Sequence, residues 1–296
     1  MNRRNFFQSG FFTALAFAAA NSGFAMNSDA DDWKITMLNK NLGIFTETGG
    51  TIAFYLSKDG IIVVDAQFPG SATHLIAELK KKNIPFHLLI NTHHHGDHTS
   101  GNISFKELTS RVLAHENSLA NQKRVAEKNN TADKQYYPKQ TFKVEWNESA
   151  GDEKINLKYF GPAHTDGDII VHFEKNNIAH VGDLVFNRRH PFVDRSAGAS
   201  MQHWVQVLRD AGKHYDRKTV FVCGHSGNGF DVKGNIDMLK DFQEYLENTL
   251  DYVSKQISLG KSKEEILKTT EIPGSPDWKG EGIERPLTAA YEELKS

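Results

Sequence analysis

Cysteine is all but absent: Cys223 is the only one in 296 residues. A lone thiol excludes an intramolecular disulfide framework, so stability must come from a buried core. Cys223 stands in the apolar run Val220-Phe221-Val222-Cys223 and reads as a small buried hydrophobe rather than a thiolate ligand. A basic surplus is missing too. Lys and Arg number 35 against 37 Asp and Glu, for a formal net charge of −2, which argues against a nucleic-acid partner. There are no internal repeats and no glycine-rich phosphate loop. No apolar run is long enough to span a bilayer. The composition left after these exclusions is that of an ordinary globular chain, long enough for one large domain or two small ones.

The first residues stand apart from any core. Arg3 and Arg4 are followed by aromatic residues, a mostly apolar stretch over residues 10–20, and Gly23-Phe24-Ala25. Charged region, apolar region and small-residue cleavage site come in the order of an export signal. The paired arginines resemble the bacterial twin-arginine signal. The expectation is a signal peptide over residues 1–25, a mature domain over residues 26–296, and a periplasmic or secreted location. Cleavage would remove two arginines and move the net charge from −2 to −4.

Against this plain background one stretch is unusual: Asn91-Thr92-His93-His94-His95-Gly96-Asp97-His98-Thr99-Ser100-Gly101-Asn102. His93, His95, Asp97 and His98 offer four metal-binding side chains within six residues. Imidazole nitrogens and carboxylate oxygens are the usual donors to zinc and iron. In an extended segment His93 and His95 share a face, and Gly96 is expected to turn the backbone so that Asp97 and His98 reach the same cavity. Chance would produce His-x-His-x-Asp-His in roughly two chains per thousand of this length.

The surroundings read as a scaffold for that stretch. Strands are expected over residues 34–38, 43–46, 52–56 and 61–65, with a hairpin turn at Asp59-Gly60. An amphipathic helix over residues 71–82, with Ser71 as its N-cap, leads to a buried strand over residues 87–90. This β-α-β unit delivers the histidines to a strand's C-terminal end, where open α/β sheets place ligands. Asp65 ends the strand before the helix, and such a carboxylate accepts a hydrogen bond from a metal-bound histidine. Another short strand and a helix over residues 117–128 follow, with His115 in a structural role. His164 then falls on a Gly- and Pro-marked loop between strands over residues 155–160 and 169–173. Asp183 and His225 are placed at the ends of two further strands.

His-x-His-x-Asp-His, then a lone His, a Gly-Asp and a Gly-His resembles the metallo-β-lactamase superfamily over about residues 35–225. The resemblance implies an α/β fold, the αββα four-layer sandwich of two mixed β-sheets flanked by helices. It implies one metal held by His93, His95 and His164 and a second by Asp97, His98 and His225, with Asp183 bridging them and Asp65 behind them. Two zinc ions are the expected cofactors, with iron or manganese as alternatives. The expected chemistry is attack by a metal-bound hydroxide on a small carbonyl substrate, a β-lactam, lactone or thioester, with Asp97 orienting the hydroxide and carrying its proton. An aspartate at position 183, where the best-known β-lactamases often use cysteine, resembles the thioester, lactone and phosphodiester hydrolases of the superfamily. A mononuclear iron sulfur dioxygenase is the alternative, since those relatives keep the histidine cluster.

Residues 187–194 follow the bridging acid and are expected to border the substrate cleft. There Arg188 or Arg189 would hold a carboxylate; a solvated charged loop is the competing reading. Helices are expected over residues 200–211 and along the apolar series Ile236, Leu239, Phe242, Leu246, Leu250 and Val253. Another is expected after the capping box begun by Ser262. This C-terminal part reads as scaffolding. A small-molecule partner is expected, and the oligomeric state is open.

Overall fold

The computed structural model describes residues 33–295. The expected signal peptide lies outside them. Seven strands form one sheet in chain order: β1 (Lys34–Met37), β2 (Leu42–Thr46), β3 (Ile52–Ser57), β4 (Gly60–Val64), β5 (Phe86–Ile90), β6 (Val112–His115) and β7 (Gln140–Phe142). The first four pair antiparallel, as hairpins allow. From β4 onward the pairs are parallel, because helices α1 (Pro69–Lys80) and α3 (Glu116–Lys128) carry the chain back between strands. The second sheet runs in the order β13 (Lys233–Gly234), β12 (Val220–Ser226), β11 (Ile178–Asn187), β10 (Ile169–Phe173), β9 (Glu153–Tyr159) and β8 (Glu145–Ala150). Only β11 and β12 pair parallel there.

Side-chain alternation explains how the layers stack. Ile62 and Val64 of β4 face the second sheet and meet Ile155, Leu157, Val171 and Phe173 in a shared inner core. Their neighbours Ile61 and Val63 point the other way, onto Leu75, Ile76 and Leu79 of α1. Helices α4 (Met201–His214), α5 (Ile236–Ser258) and α7 (Glu284–Lys295), the last two separated by the single turn α6 (Lys263–Ile266), cover the outer face of the second sheet, against Ala179, Val181, Phe221 and Cys223. The result is the expected αββα sandwich. Cys223 is fully buried in this outer core, and burial pushes its thiol up to about 12. The hydrophobic reading of that residue therefore holds.

Three local expectations need correction. Helix α1 starts at Pro69 rather than Ser71, and no side chain caps it; proline at the first position supplies a preset helical φ. Gly96 does not turn the chain through a special conformation. It opens a short helix, α2 (Gly96–Thr99), with His95 as its N-cap. The third correction concerns Asp183, which does not end a strand. Strand β11 continues through it to Asn187, with register shifts against β12 on both sides of Gly182. Gly182 has φ +51°, and a Cβ there would lie 2.7 Å from the Thr92 hydroxyl oxygen. The bulge at this glycine re-aims Asp183 toward the histidines.

Candidate metal centre

The histidine stretch leaves β5 and is clasped at its two ends. Asn91 and Asn102 exchange amide hydrogen bonds of 3.0 and 2.8 Å, both buried. Within that clasp, His93 and His95 project toward His164, which arrives on the loop between β9 and β10. His95 Nδ1 lies 3.1 Å from His93 Nε2 and 2.9 Å from His164 Nε2. Helix α2 turns Asp97 and His98 toward His225 on β12. His225 Nε2 is 3.0 Å from Asp97 Oδ2 and 3.4 Å from His98 Nε2. Asp183 stands between the two groups. Its carboxylate lies 3.9 Å from His93, 3.5 Å from His164, 3.1 Å from His98 and 3.5 Å from His225. All seven residues singled out in the sequence thus converge. Donor atoms of His93, His95, His164 and Asp183 lie within 4.8 Å of one another, as do those of Asp97, His98 and His225.

The outward nitrogen of four of these rings is already committed. His98 Nδ1 donates to Asp65 Oδ2 at 2.7 Å. His164 Nδ1 donates to the Phe192 carbonyl at 2.8 Å, and His95 Nε2 to Asp194 Oδ2 at 3.1 Å. His93 Nδ1 meets the Thr92 hydroxyl at 3.1 Å, and that hydroxyl donates to Asp65 at 2.7 Å. For His93, His95 and His164 the outward partner fixes a tautomer that leaves the inward nitrogen's lone pair free; at His98, Asp183 and Asp65 outweigh burial and push the ring well above the usual imidazole range, so a bound cation would displace its inward proton. Asp65 serves here as the expected acid behind the cluster. It also takes the Thr92 backbone N–H and adopts φ +66°, a left-handed conformation that costs a non-glycine residue energy.

The electrostatics match a cation site. Burial first, then neighbouring His98, hold His93 well below the usual imidazole range. Burial and then His95 lower His164 to about 3. Both rings are neutral donors at pH 7. For Asp183, burial alone would raise the pKa, but His225 and His98 outweigh it and keep the acid ionised. In Asp97 the same contest is decided by the His225 hydrogen bond, which brings it down to about 2. Asp183 Oδ1 is buried without a hydrogen bond, although His98 stands beside it. Inward imidazole nitrogens about 3 Å apart approach the edge of a zinc tetrahedron, about 3.3 Å for bonds near 2.05 Å. The donor set therefore fits metal ions.

Two contributors escaped the sequence reading. Asp194 carried no motif; only the fold brings it beside His95. It also closes a turn by accepting from Ala197 N and Ser196 Oγ through its other oxygen. His94 and His95, with ring nitrogens 3.4 and 3.1 Å from its carboxylate, outweigh burial and hold it well below the usual range. We expect Asp194→Asn to keep the turn but weaken metal affinity by about 10–100-fold, read by chelator competition. Unchanged affinity would remove Asp194 from the centre. The other is Thr92, whose hydroxyl links His93 to Asp65. His115, by contrast, is structural as expected. It accepts from Asn117 N at the start of α3 and stacks on Tyr159 with 4.1 Å between ring centroids.

Comparison with known proteins gives this geometry its context. The model of the metallo-beta-lactamase superfamily matches residues 46–225. The chain belongs to the metallo-β-lactamase superfamily. A metallo-beta-lactamase type 2 of Bacillus cereus is 26% identical over 206 residues, covering 66% of this chain and 77% of that protein. A hydroxyacylglutathione hydrolase of Pelagibacter ubique is 28% identical over 158 residues, 53% of this chain and 59% of that one. Among solved structures, a metallo-beta-lactamase from Pontibacter korlensis superposes with a TM-score of 0.63 at 18% identity, covering 73% of this chain and 99% of that one; this likeness concerns the fold. Superfamily membership and the converging His and Asp donors identify a metal-dependent hydrolase. No helix among the described residues is long and apolar enough to cross a membrane.

Proposed function

We propose that the chain is a binuclear zinc hydrolase of small carbonyl substrates, of the β-lactam, lactone or thioester class, working outside the cytoplasm. The observation that carries this reading is the position of Asp183, in contact with nitrogens of both donor groups. His93, His95 and His164 would hold one ion, Asp97, His98 and His225 the other, and Asp183 would be shared. Bound zinc supplies a lowered pKa for water, from 15.7 to about 7, and polarisation of a carbonyl oxygen.

The chain's own groups do the rest. The Asp97 side chain is about a third exposed and faces the cleft, whereas that of Asp183 is 4% exposed. Asp97 is thus the acid that reaches an attacking water, accepts its proton and passes it to the leaving atom. The His225 Nε2 hydrogen bond keeps Asp97 ionised, and a cation held by the same two side chains would take over that role. The imidazole rings stay oriented through Asp65, Asp194 and Phe192 O, so no reorganisation is needed as charge develops. The cleft beside the centre has a volume of about 310 Å³ and is walled partly by Phe186 and Phe192. That is the lower end of small-molecule sites.

The test is a zinc-loaded preparation assayed against β-lactams, lactones and thioesters, with metal content measured alongside. Two zinc ions and hydrolysis of one class, lost in both His95→Ala and Asp97→Asn, are expected. A single iron with oxygen uptake, or activity surviving both substitutions, would overturn the reading.

A further inference from the structure

One metal-binding side chain of the histidine stretch takes no part in the centre. His94 stands between two of its ligands in sequence. Its side chain is 1% exposed, and neither ring nitrogen makes a hydrogen bond among the described residues. Leaving a buried imidazole unsatisfied costs energy. Its Nε2 lies 3.4 Å from Asp194 Oδ2, the oxygen that also accepts from His95 Nε2 at 3.1 Å. The His94 and His95 rings are neighbours, with 4.4 Å between centroids.

Donor atoms of His94, His95 and Asp194 lie within 4.8 Å of one another. Two imidazoles and a carboxylate are a common donor set for zinc, with a fourth position left to water. The separations of 3.4 and 3.1 Å bracket the edge of a zinc tetrahedron, about 3.3 Å for bonds near 2.05 Å. Asp194 is held in position by its other oxygen, which accepts from Ser196 Oγ and Ala197 N. The group is open to solvent on one side, where the side chains of His95 and Asp194 are 16% and 11% exposed. On the other, His94 borders a cavity of about 330 Å³ with Gln122, Val125 and Asn129, which leaves its ring room to turn toward an ion.

We infer that His94, His95 and Asp194 form a third, weaker site for a divalent cation such as zinc, which shares the His95 ring with the centre. His95 gives Nδ1 to the centre, beside His93 and His164, and Nε2 to the third ion. Binding there displaces the Nε2 proton to solvent and takes Asp194 Oδ2 out of its hydrogen bond to His95. The ring then donates to two cations, which repel each other across it. The centre therefore fills first. Filling the third site loosens the centre, so excess zinc becomes an inhibitor. The assignment rests on His95 as a ligand of the centre, and not on the substrate class.

The experiment is equilibrium dialysis of the full chain against stepped concentrations of zinc chloride, with bound zinc counted by elemental analysis. Wild type is compared with His94→Phe, which fills the ring's volume without donors, and with His94→Ala, which covers a misfit of the larger apolar ring. At low zinc all three proteins should carry the same number of ions. At high zinc wild type should take up one more. Affinity for that extra ion should fall about a hundredfold in both variants, since even a group that only orients a ligand is worth about 10–100-fold. Inhibition of hydrolysis by zinc should follow the same midpoint in wild type and vanish in both variants. The count needs no turnover, so a chain that hydrolyses none of the substrates tried, or whose centre holds one ion instead of two, still gives the difference. No extra ion in wild type, an extra ion retained by either variant, or fewer ions in both variants already at low zinc would each overturn the assignment.

Discussion

Asp183→Asn is expected to leave the fold intact and to strip metal from the centre. Asparagine keeps the side-chain shape, so the bulge at Gly182 and the packing of β11 have no reason to change. What disappears is the negative charge facing His93, His98, His164 and His225 at 3.1–3.9 Å. An amide is a poor donor to zinc, and its N–H₂ end would point hydrogens at neutral nitrogens that hold cations. Both groups of donors lose their shared member at once. Bound zinc should fall from two ions to one or none after dialysis, measured by elemental analysis. Hydrolysis should fall by on the order of a thousandfold or more, because metal polarisation is worth several kcal/mol and each 1.36 kcal/mol is tenfold. Two ions retained with near-normal kcat/KM would show that Asp183 is not shared, and the proposed binuclear site would go with it.

How much of this was legible beforehand depended on whether the signal was local. The His93–His98 stretch announced itself because one turn of chain carries four donors. The unbroken apolar run Ile61-Ile62-Val63-Val64 is what a strand covered on both faces requires, and residues of both its faces are buried. The capping box at Ser262 is present as its spacing implied, with both hydrogen bonds made. Signals that depend on contacts far along the chain were not readable. Asp194 and His95 are 99 residues apart, and nothing local to Asp194 distinguishes it from a turn residue. The clasp between Asn91 and Asn102 required knowing that the two amides face each other. Helix α7 was not expected: Pro286 stands in its first turn, a position where a helix tolerates proline. Reading the C-terminal part as inert scaffolding missed that α7 brings Arg285 to the cleft. Of the two arginines expected there, Arg189 lines the cleft and Arg188 bonds Asp241 at 2.7 Å instead. Gly182 looked like a strand end because glycine interrupts an apolar run. In fact it bends a strand that continues, a case where period-two patterning breaks at a functional bulge.

Gly224→Ala is expected to remove one metal with a single methyl group. Built on this backbone, a Cβ at position 224 would collide with Asp183 Oδ1 and lie 2.9 Å from His98 Cε1. The backbone cannot retreat easily. The Gly224 carbonyl accepts from both the N–H and the hydroxyl of Thr51, at 2.9 and 3.0 Å, and the Thr51 carbonyl is bonded in turn to His180 at 2.8 Å. These bonds lock β12 to the start of β3 across the sandwich. The side chains must therefore yield, and those that touch the methyl are the shared acid and a member of the Asp97, His98 and His225 group. Gly50 forms the facing wall, where a Cβ would collide with the His98 ring, so His98 has no room to move that way either. Overpacking of this kind costs about 1–3 kcal/mol, small enough for the variant to fold. Circular dichroism should be unchanged and the melting temperature lowered by a few degrees, about 2–4 °C per kcal/mol for a chain of this size. The decisive reading is stoichiometry. One zinc should remain with His93, His95 and His164, and the second should be lost or bound at least tenfold more weakly, with hydrolysis falling alongside. If Gly224→Ala holds two ions as tightly as wild type, the two donor groups are not crowded against this strand as the geometry requires, and the steric account of the second site is wrong.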